Sequence, residues 1–227
     1  MTYENCVYKS VCQVEDCRPS CIRLNEMSAL LDGSNIPPAK QRPMLLQPES
    51  CDLQAFQELA NVKTNIKSFV EQGRNLYIVS EYTGNGKTTW AIKLMLKYFD
   101  EIWAGNGFRE RGFFVSVPWF LSKCKDFGTK DETFEKLKAN LLNYDLVIWD
   151  DIGSTYLSGY DLSQLTTFVD QRILYEKSNI FTGNLNEDEM LKAVGERLTS
   201  RVYKASKVVT FYGKDRREDG NSTVTSN

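Results

Sequence analysis

Short apolar runs alternate along the chain with longer segments in which apolar residues recur at helical spacing. The first pattern predicts buried strands and the second predicts amphipathic helices. The predicted strands are 77–80, 112–117, 145–151, 178–184 and 208–212. The predicted helices are 52–73, 88–99, 131–142, 162–174 and 196–205, with one more around Trp119. This alternation predicts an α/β protein whose parallel sheet is flanked by helices.

A glycine-rich turn separates the first predicted strand from the helix that follows it. Successive N–H groups in such a turn can point at phosphate oxygens, and the start of the next helix attracts the same anion. Lys87 is expected to reach the outer phosphates, and Thr88 is expected to bind Mg²⁺. Glu81 stands where the motif has its first glycine, which predicts weaker nucleotide affinity. The predicted nucleotide-binding residues of this turn are Thr83, Gly84, Asn85, Gly86, Lys87, Thr88 and Thr89.

Two adjacent carboxylates, Asp150 and Asp151, end the third predicted strand. They come about 60 residues after the Gly-Lys-Thr turn, and this combination is typical of ATPases. We expect Asp150 to hold magnesium and Asp151 to orient or polarise the attacking water. Asn184, at the polar end of the next strand, is a candidate to hold that water or the terminal phosphate. Alternatively, Asn184 caps the next helix, a role that Asn186 fits equally well.

Four of the six cysteines fall within the first 21 residues, among polar and charged neighbours that cannot form a core. Four thiolates around one tetrahedral Zn²⁺ would fold a segment that is too small to fold by burial alone. Their spacing fits a zinc site only in part, because five residues separate the first cysteine from the second. The alternative is a set of reduced cysteines without metal. The predicted zinc ligands are Cys6, Cys12, Cys17 and Cys21.

Changes in composition divide the chain into four parts. Residues 1–24 form the cysteine-rich segment, which is predicted to bind zinc. Residues 25–50 are rich in proline and other helix breakers and are predicted to be a linker. Residues 51–213 carry the strand and helix alternation, and 214–227 form a polar tail that is predicted to be disordered.

The composition limits the chemistry that the protein can use. The chain has no histidine, which leaves carboxylates, lysine, arginine and metal. The formal net charge of -2 argues against a basic nucleic-acid-binding surface, so any DNA contact must come from a local patch. Trp119 and Phe120 beside Lys123 and Lys125 form such a patch, although the same mixture is typical of an ordinary amphipathic helix. No apolar run is long enough to span a membrane and the N-terminus lacks a signal-peptide core, so we expect a cytoplasmic protein.

Several motifs in a fixed order resemble those of AAA+ ATPases and, more narrowly, of bacterial and phage helicase loaders of the DnaC and DnaI kind. They are SNIPP, GNGKTTWA, FVSVPWFL, VIWDDIG, IFTGNL, LTSRVY and FYGKDRR, within residues 34–217. The resemblance implies an AAA+ P-loop NTPase fold. It makes Lys87 and Thr88 the Walker A pair. The Walker B pair and the sensor 1 residue are then Asp150, Asp151 and Asn184.

The same resemblance assigns roles to arginines late in the chain. It implies that Arg201 is an arginine finger, which completes the site of a neighbouring subunit, with Arg197 as the runner-up. Arg217, or less closely Arg216, resembles a sensor 2 residue that contacts the nucleotide. The alternative for each arginine is a surface salt bridge, and for Arg197 we favour that alternative. Some loaders also carry an N-terminal zinc module, in keeping with the cysteine cluster.

The resemblance further implies a Mg²⁺-dependent ATPase that DNA or a partner stimulates, and Glu81 together with Asp151 predicts slow turnover. Such a protein loads a replicative hexameric helicase onto single-stranded DNA in a bacterial cell and assembles into an AAA+ oligomer. Its cofactors would be ATP, Mg²⁺ and Zn²⁺. A transposition helper ATPase of the IstB kind is an alternative, although its N-terminus is expected to be basic. A second alternative is a scaffold that binds ATP without hydrolysing it.

Overall fold

A computed structural model describes residues 6, 12, 18–42, 44–124, 132–154 and 157–214, apart from the side chain of residue 133. The helices are α1 (Ile22–Asp32), α2 (Leu53–Thr64), α3 (Ile66–Glu71), α4 (Lys87–Ile102), α5 (Val117–Cys124), α6 (Glu132–Leu141), α7 (Gly159–Leu174) and α8 (Glu187–Thr199). The strands are β1 (Asn75–Val79), β2 (Gly112–Ser116), β3 (Leu146–Ile152), β4 (Ser178–Gly183) and β5 (Ser206–Thr210). A π-helix, Ser200–Lys204, follows α8, and 3₁₀ turns occupy Pro38–Lys40 and Ser50–Asp52. None of the helices in these ranges is long and apolar enough to span a membrane.

The five strands form one parallel sheet in the order β2-β3-β4-β1-β5. Successive residues of a strand face opposite sides, so Leu76 and Ile78 join the core that includes α1 to α4. Tyr77 and Val79 join the core that includes α5 to α8. This confirms the predicted α/β architecture with a parallel sheet between helices. Because the strands are parallel, their carboxyl ends meet at one edge, where ligands of open α/β sheets bind.

The segment 25–50 is not a simple linker, and that prediction is wrong for its first part. Helix α1 extends into it, and Leu30 and Leu31 pack into the same core as α4. At the start of the helix, Arg23 forms an ion pair with Asp100 of α4 at 2.5 Å. The buried apolar face of α1 stabilises a helix here despite the breakers that follow it.

The stretch after α1 covers the outer edge of β2. The N–H of Phe114 donates to Ser34 O at 2.8 Å, and Asn35 Nδ2 donates to Phe114 O at 2.9 Å. Ile36, which follows, is buried in the core. These bonds satisfy backbone groups that an edge strand would otherwise leave unpaired. The packed domain therefore begins before the predicted boundary at residue 51.

Two predicted helices differ in extent from those in the structure. The helix predicted at 52–73 is broken into α2 and α3 at Asn65, whose side-chain Nδ2 donates to Asn61 O at 3.0 Å. A side-chain amide that bonds to the backbone competes with the next helical turn. The helix predicted at 196–205 is the end of the longer α8, which contains a break at Gly195 (φ 77°, ψ 171°) and continues as the π-helix.

Candidate functional site

The P-loop lies between β1 and α4, at the carboxyl edge of the sheet. Gly84 and Gly86 adopt left-handed backbone conformations, with φ of 70° and 99°. A Cβ on Gly86 would touch Leu46 at 3.5 Å, an ordinary contact, so the backbone conformation and not a lack of space favours glycine here. Helix α4 starts at Lys87, and the N–H groups of its first turn provide the site where an anion would bind.

Lys87 is buried and folded over the P-loop. Its Nζ donates to Tyr82 O at 2.6 Å and to Asn85 Oδ1 at 3.2 Å. Asn85, also buried, donates to Ser80 Oγ and, at 3.4 Å, to Gly213 O beyond β5. A phosphate group in the loop would offer the ammonium group stronger, charged acceptors than these neutral oxygens. The lysine is therefore placed to bind an anion within the loop.

The other predicted residues of the turn lie as follows. Thr83 and Glu81 are exposed, whereas Thr89 is half-buried in the first turn of α4. The side chain of Glu81 therefore remains in solvent, which reduces the cost of carrying a carboxylate where the motif has glycine.

Thr88, in the first turn of α4, meets Asp150 of β3, although β4 lies between β3 and the strand that precedes α4, β1. Thr88 Oγ1 donates to Asp150 Oδ1 at 2.7 Å. Burial raises the pKa of the Asp150 carboxyl above its ordinary value, opposed by hydrogen bonds from Thr182 and Thr88. A hydroxyl and a carboxylate side by side are hard oxygen donors of the kind that Mg²⁺ prefers. The residues present therefore fit the predicted metal.

Thr182, which the sequence analysis did not single out, links the two acidic residues. Its Oγ1 donates to Asp150 Oδ1 at 2.7 Å and accepts the N–H of Asp151 at 3.0 Å. Thr182 is buried on β4, which pairs with β3. Threonine is a common strand residue, so the only signal in the sequence is its place in the polar end of the fourth predicted strand.

Asp151 lies in a bulge of β3. The pairing of β3 with β4 shifts between Trp149 and Ile152, and Asp151 has a φ of 65°. A non-glycine residue in this left-handed region costs on the order of 1 kcal/mol or more. The bulge interrupts the alternation of faces along the strand. Asp150 and Asp151 are both half-buried at this edge.

Asn184 follows the last residue of β4 and is half-buried. Its Oδ1 is buried and has no hydrogen-bond partner within the part of the chain that the structure describes. The cap of α8 is Asn186, whose side chain accepts the N–H of Glu189 at 2.9 Å while Glu189 Oε2 accepts the N–H of Asn186 at 3.0 Å. Asn184 therefore does not serve as the helix cap, and its amide oxygen is available to a ligand or water.

Both candidate arginine fingers pair with one carboxylate, Asp170 of α7. Arg201 Nε donates to Asp170 Oδ1 at 2.6 Å, and Arg197 contacts Asp170 Oδ2 at 2.6 Å. The surface salt bridge that we considered for each arginine is therefore present within the single chain. Neither arginine contacts the Walker residues of its own chain in any hydrogen bond or ion pair of the described residues.

Four residues named in the sequence analysis, Cys17, Lys125, Arg216 and Arg217, lie outside the described residues. Cys6 and Cys12 are described singly, and Cys21 precedes α1 as its N-cap. Over the described positions, no group of three or more histidine, cysteine, aspartate or glutamate side chains is placed to hold a metal ion. The four-cysteine zinc site also needs Cys17, so it stays a prediction.

Comparisons with known proteins bear on the family. No protein-family model matches the chain. The replicative helicase loader DnaC of Escherichia coli strain K12 is 32% identical over 89 residues, which make up 39% of this chain and 36% of that protein. DnaC of Buchnera aphidicola from Schizaphis graminum is 32% identical over 90 residues, or 39% of this chain and 37% of that protein. The match thus spans little more than a third of the curated relatives.

Solved structures match more of the chain. The crystal structure of the DnaC helicase loader has a TM-score of 0.61 at 21% identity and covers 74% of this chain and 94% of that one. The crystal structure of DnaI has a TM-score of 0.61 at 16% identity and covers 81% and 95%. These matches show that the chain shares the fold of DnaC and DnaI. The replication initiator DnaA bound to AMPPCP and single-stranded DNA has the same fold, with a TM-score of 0.57 at 18% identity over 74% of this chain and 48% of that one.

Proposed function

We propose that this chain is an ATP-dependent loader that places a replicative hexameric helicase on single-stranded DNA in the bacterial cytoplasm. The observation that carries the proposal is the 2.7 Å hydrogen bond from Thr88 to Asp150, which joins the P-loop to the acidic end of β3. The sequence match to DnaC and the fold shared with DnaC and DnaI support the loader role.

The nucleotide would bind with its phosphates in the P-loop. Lys87 would exchange Tyr82 O and Asn85 Oδ1 for phosphate oxygens, and the start of α4 would add its N–H groups. Thr88 and Asp150 would hold Mg²⁺, which supplies positive charge beside the outer phosphates. Arg217, as a sensor 2 residue, would contact the nucleotide from beyond β5.

Hydrolysis would use three further residues. Asp151 would orient the attacking water, and the buried Oδ1 of Asn184 would accept a hydrogen bond from it. Arg201 would act from a neighbouring subunit on the charge that develops on the phosphoryl group. Two features would make turnover slow, which suits a switch. Glu81 occupies the first glycine position of the motif, and Asp151 has a short side chain on a bulged part of β3.

Single-stranded DNA would bind at a local patch around α5. Trp119 is 42% exposed and lines a cavity of about 620 Å³ with Pro37, Pro38 and Ser116. Aromatic side chains at such a site favour stacking of unpaired bases. Ser116 pairs in register with Asp150, so this patch adjoins the proposed ATP site and could respond to its state.

The N-terminal cysteines would bind one Zn²⁺ and dock the helicase. Four thiolates stabilise a segment of this size that lacks an apolar core. The proposed ligands are Cys6, Cys12, Cys17 and Cys21.

A loading assay tests the proposed function. The full-length protein is mixed with the hexameric helicase of the same host and a circular single strand that carries a short labelled strand, with and without ATP. We expect the labelled strand to be released only when both ATP and this protein are present. Lys87→Ala should remove ATP binding and loading, because the ammonium contacts the phosphates of the bound nucleotide. Lys93→Ala is the matched control and should load normally, because Lys93 lies later in the same helix, with its ammonium over the Trp90 ring and away from the P-loop.

Two results would contradict the proposal. If the protein binds ATP but releases no phosphate with helicase or DNA present, it is a non-hydrolysing scaffold. If it fails to load the helicase and instead binds duplex DNA in an ATP-dependent manner, the transposition helper is favoured.

A further inference from the structure

Asp170 on α7 holds two arginines of the segment that follows Gly195. Arg197 and Arg201 approach its two carboxylate oxygens separately, one on Oδ2 and the other on Oδ1. The side chain of Asp170 is 16% exposed, whereas those of Arg197 and Arg201 are 76% and 41% exposed. A single, largely covered carboxylate therefore anchors two arginines that extend towards solvent.

The two arginines are held in different ways. Arg197 contacts Oδ2 through two nitrogens, with Nε at 2.8 Å and a terminal nitrogen at 2.6 Å. Arg201 donates to Oδ1 through Nε, at 2.6 Å, and its terminal nitrogens donate no hydrogen bond within the described part of the chain. A guanidinium has five N–H donors, so the four on the terminal nitrogens of Arg201 stay available for an outside anion. These are the donors that bind phosphate in a forked geometry.

The charges of the cluster also favour an outside anion. Burial opposes ionisation of Asp170, but hydrogen bonds from Arg201 and Arg197 hold its pKa below the ordinary value. The carboxylate is thus charged at neutral pH and shared by two positive charges. One unit of positive charge remains uncompensated within these three side chains, which suits a site for phosphate.

The backbone of Arg201 gives a second reason for an anchor. Arg201 lies in the π-helix, and α8 before it is broken at Gly195, so its backbone is irregular. Asp170 instead lies in α7, a 16-residue helix whose start is fixed by a capping box between Ser158 and Asp161. A hydrogen bond from Asp170 on this regular helix therefore fixes the position of the Arg201 side chain, which its own irregular segment would hold less firmly.

We propose that Asp170 is a positioning residue that holds Arg201 by Nε and presents its terminal nitrogens to the ATP site of a neighbouring subunit. This rests on the proposed role of Arg201. Arg197 occupies the other carboxylate oxygen of Asp170. It thereby prevents Arg201 from rotating to bind both oxygens with two of its nitrogens.

Subunit mixing tests the proposal with full-length Asp170→Asn, which keeps the size of the side chain but removes its charge. We expect normal ATP affinity and a loss of turnover of roughly 10- to 100-fold, because a misplaced reacting group costs about that much. Mixed with Lys87→Ala, the variant should recover activity, since an intact ATP site then meets an intact Arg201. Mixed with Arg201→Ala it should not recover. Asp170→Glu, which keeps the charge, should restore part of the turnover.

Asp145→Asn is the matched control. Asp145 also accepts from two cations, Arg111 and Lys177, and it precedes β3, at the end of that strand opposite to Asp150. Its loss removes a comparable pair of contacts from a carboxylate that bonds to neither Arg197 nor Arg201 in the described part of the chain. Thermal unfolding should shift in both variants, whereas only Asp170→Asn should lose turnover.

The possible failures are distinguishable. Absent turnover in the wild type, or full turnover in Arg201→Ala, would overturn the proposed role of Arg201 and this inference with it. If Arg201→Ala turns over ATP slowly but Asp170→Asn turns it over at the wild-type rate, only the positioning role of Asp170 is overturned. Low activity of Asp170→Asn in every mixture, including that with Lys87→Ala, would show a structural role and also overturn it.

Discussion

At the scale of single residues, the acidic end of β3 depends on a hydroxyl from the neighbouring strand. Thr182 bonds to the carboxylate of Asp150 and to the backbone of Asp151, so it fixes both the proposed magnesium ligand and the bulge beside it. Groups that orient a metal ligand commonly contribute 10- to 100-fold to metal affinity.

Thr182→Val tests this dependence, because valine has the same shape and lacks the hydroxyl. We expect the Mg²⁺ concentration for half-maximal ATP turnover to rise roughly tenfold, since Asp150 loses a hydrogen bond that orients it. Titration of Mg²⁺ at saturating ATP measures the change. Thr166→Val is the control. It removes the hydroxyl of a different buried threonine, on α7, and should leave the Mg²⁺ curve unchanged. Coincident curves for Thr182→Val and wild type would contradict the role of Thr182.

The sequence predicted this site only in part. Lys87, Thr88 and Asp150 belong to local motifs, and the structure brings the last two within hydrogen-bonding distance. Their catalytic and binding roles stay predictions. Thr182 could not be selected from the sequence, because its contact with Asp150 depends on β4 lying beside β3. That pairing is a property of the sheet order and not of any short segment.

At the scale of elements, α1 shows how a composition argument can fail. A buried helical face is visible in the spacing of Leu24, Met27, Leu30 and Leu31. The prolines and other helix breakers later in 25–50 nevertheless led to the prediction of a linker. The breakers affect only the stretch after Asp32, where the chain turns to cover β2.

Leu30→Ala tests whether α1 is part of the core. Leu30 is 1% exposed, so we expect a loss of about 2–5 kcal/mol in the free energy of unfolding, as for other buried leucines. Urea denaturation followed by circular dichroism measures it. Ile22→Ala on the same helix is the control, because Ile22 is 69% exposed and should change stability by about 0.5 kcal/mol or less. Equal stability of both variants would mean that α1 does not contribute to the fold.

Arg172 of α7 is another residue that periodicity could not identify. It is fully buried, and its guanidinium donates to Asn179 Oδ1 and to the backbone oxygens of Leu141, Tyr144 and Ser178. An arginine in an amphipathic helix usually lies in solvent. Here it joins the ends of α6 and α7 to the start of β4, and only the assembled structure reveals the four acceptors.

At the scale of the whole molecule, the position of α1 decides where the cysteine-rich segment can be separated from the rest. A cut within α1 would remove Arg23 and Leu24 and disturb the packing against α4. A cut before residue 18 leaves every described helix and strand intact.

Deletion of residues 1–17 tests the zinc proposal. The deletion removes three of the four cysteines, so zinc and helicase binding should be lost while ATP affinity is retained. Metal analysis should give about one zinc per full-length chain, as expected for a single tetrahedral site. Cys51→Ser, which alters an exposed cysteine outside the cluster, is the control and should keep the metal. Full-length protein without zinc would reject the module, and full helicase affinity after the deletion would reject its docking role.

The sheet order has a consequence for synthesis of the protein on the ribosome. Strand β1, which leads into the P-loop, pairs with β4 and β5, and these two strands are the last to be synthesised. While β2 and β3 emerge, β1 therefore has neither of its final neighbours. The loop is also bonded to Gly213, beyond the last strand. A chain that stops before β5 would carry the predicted phosphate-binding motif without the pairing that shapes it, so we expect nucleotide binding only after synthesis has passed Gly213.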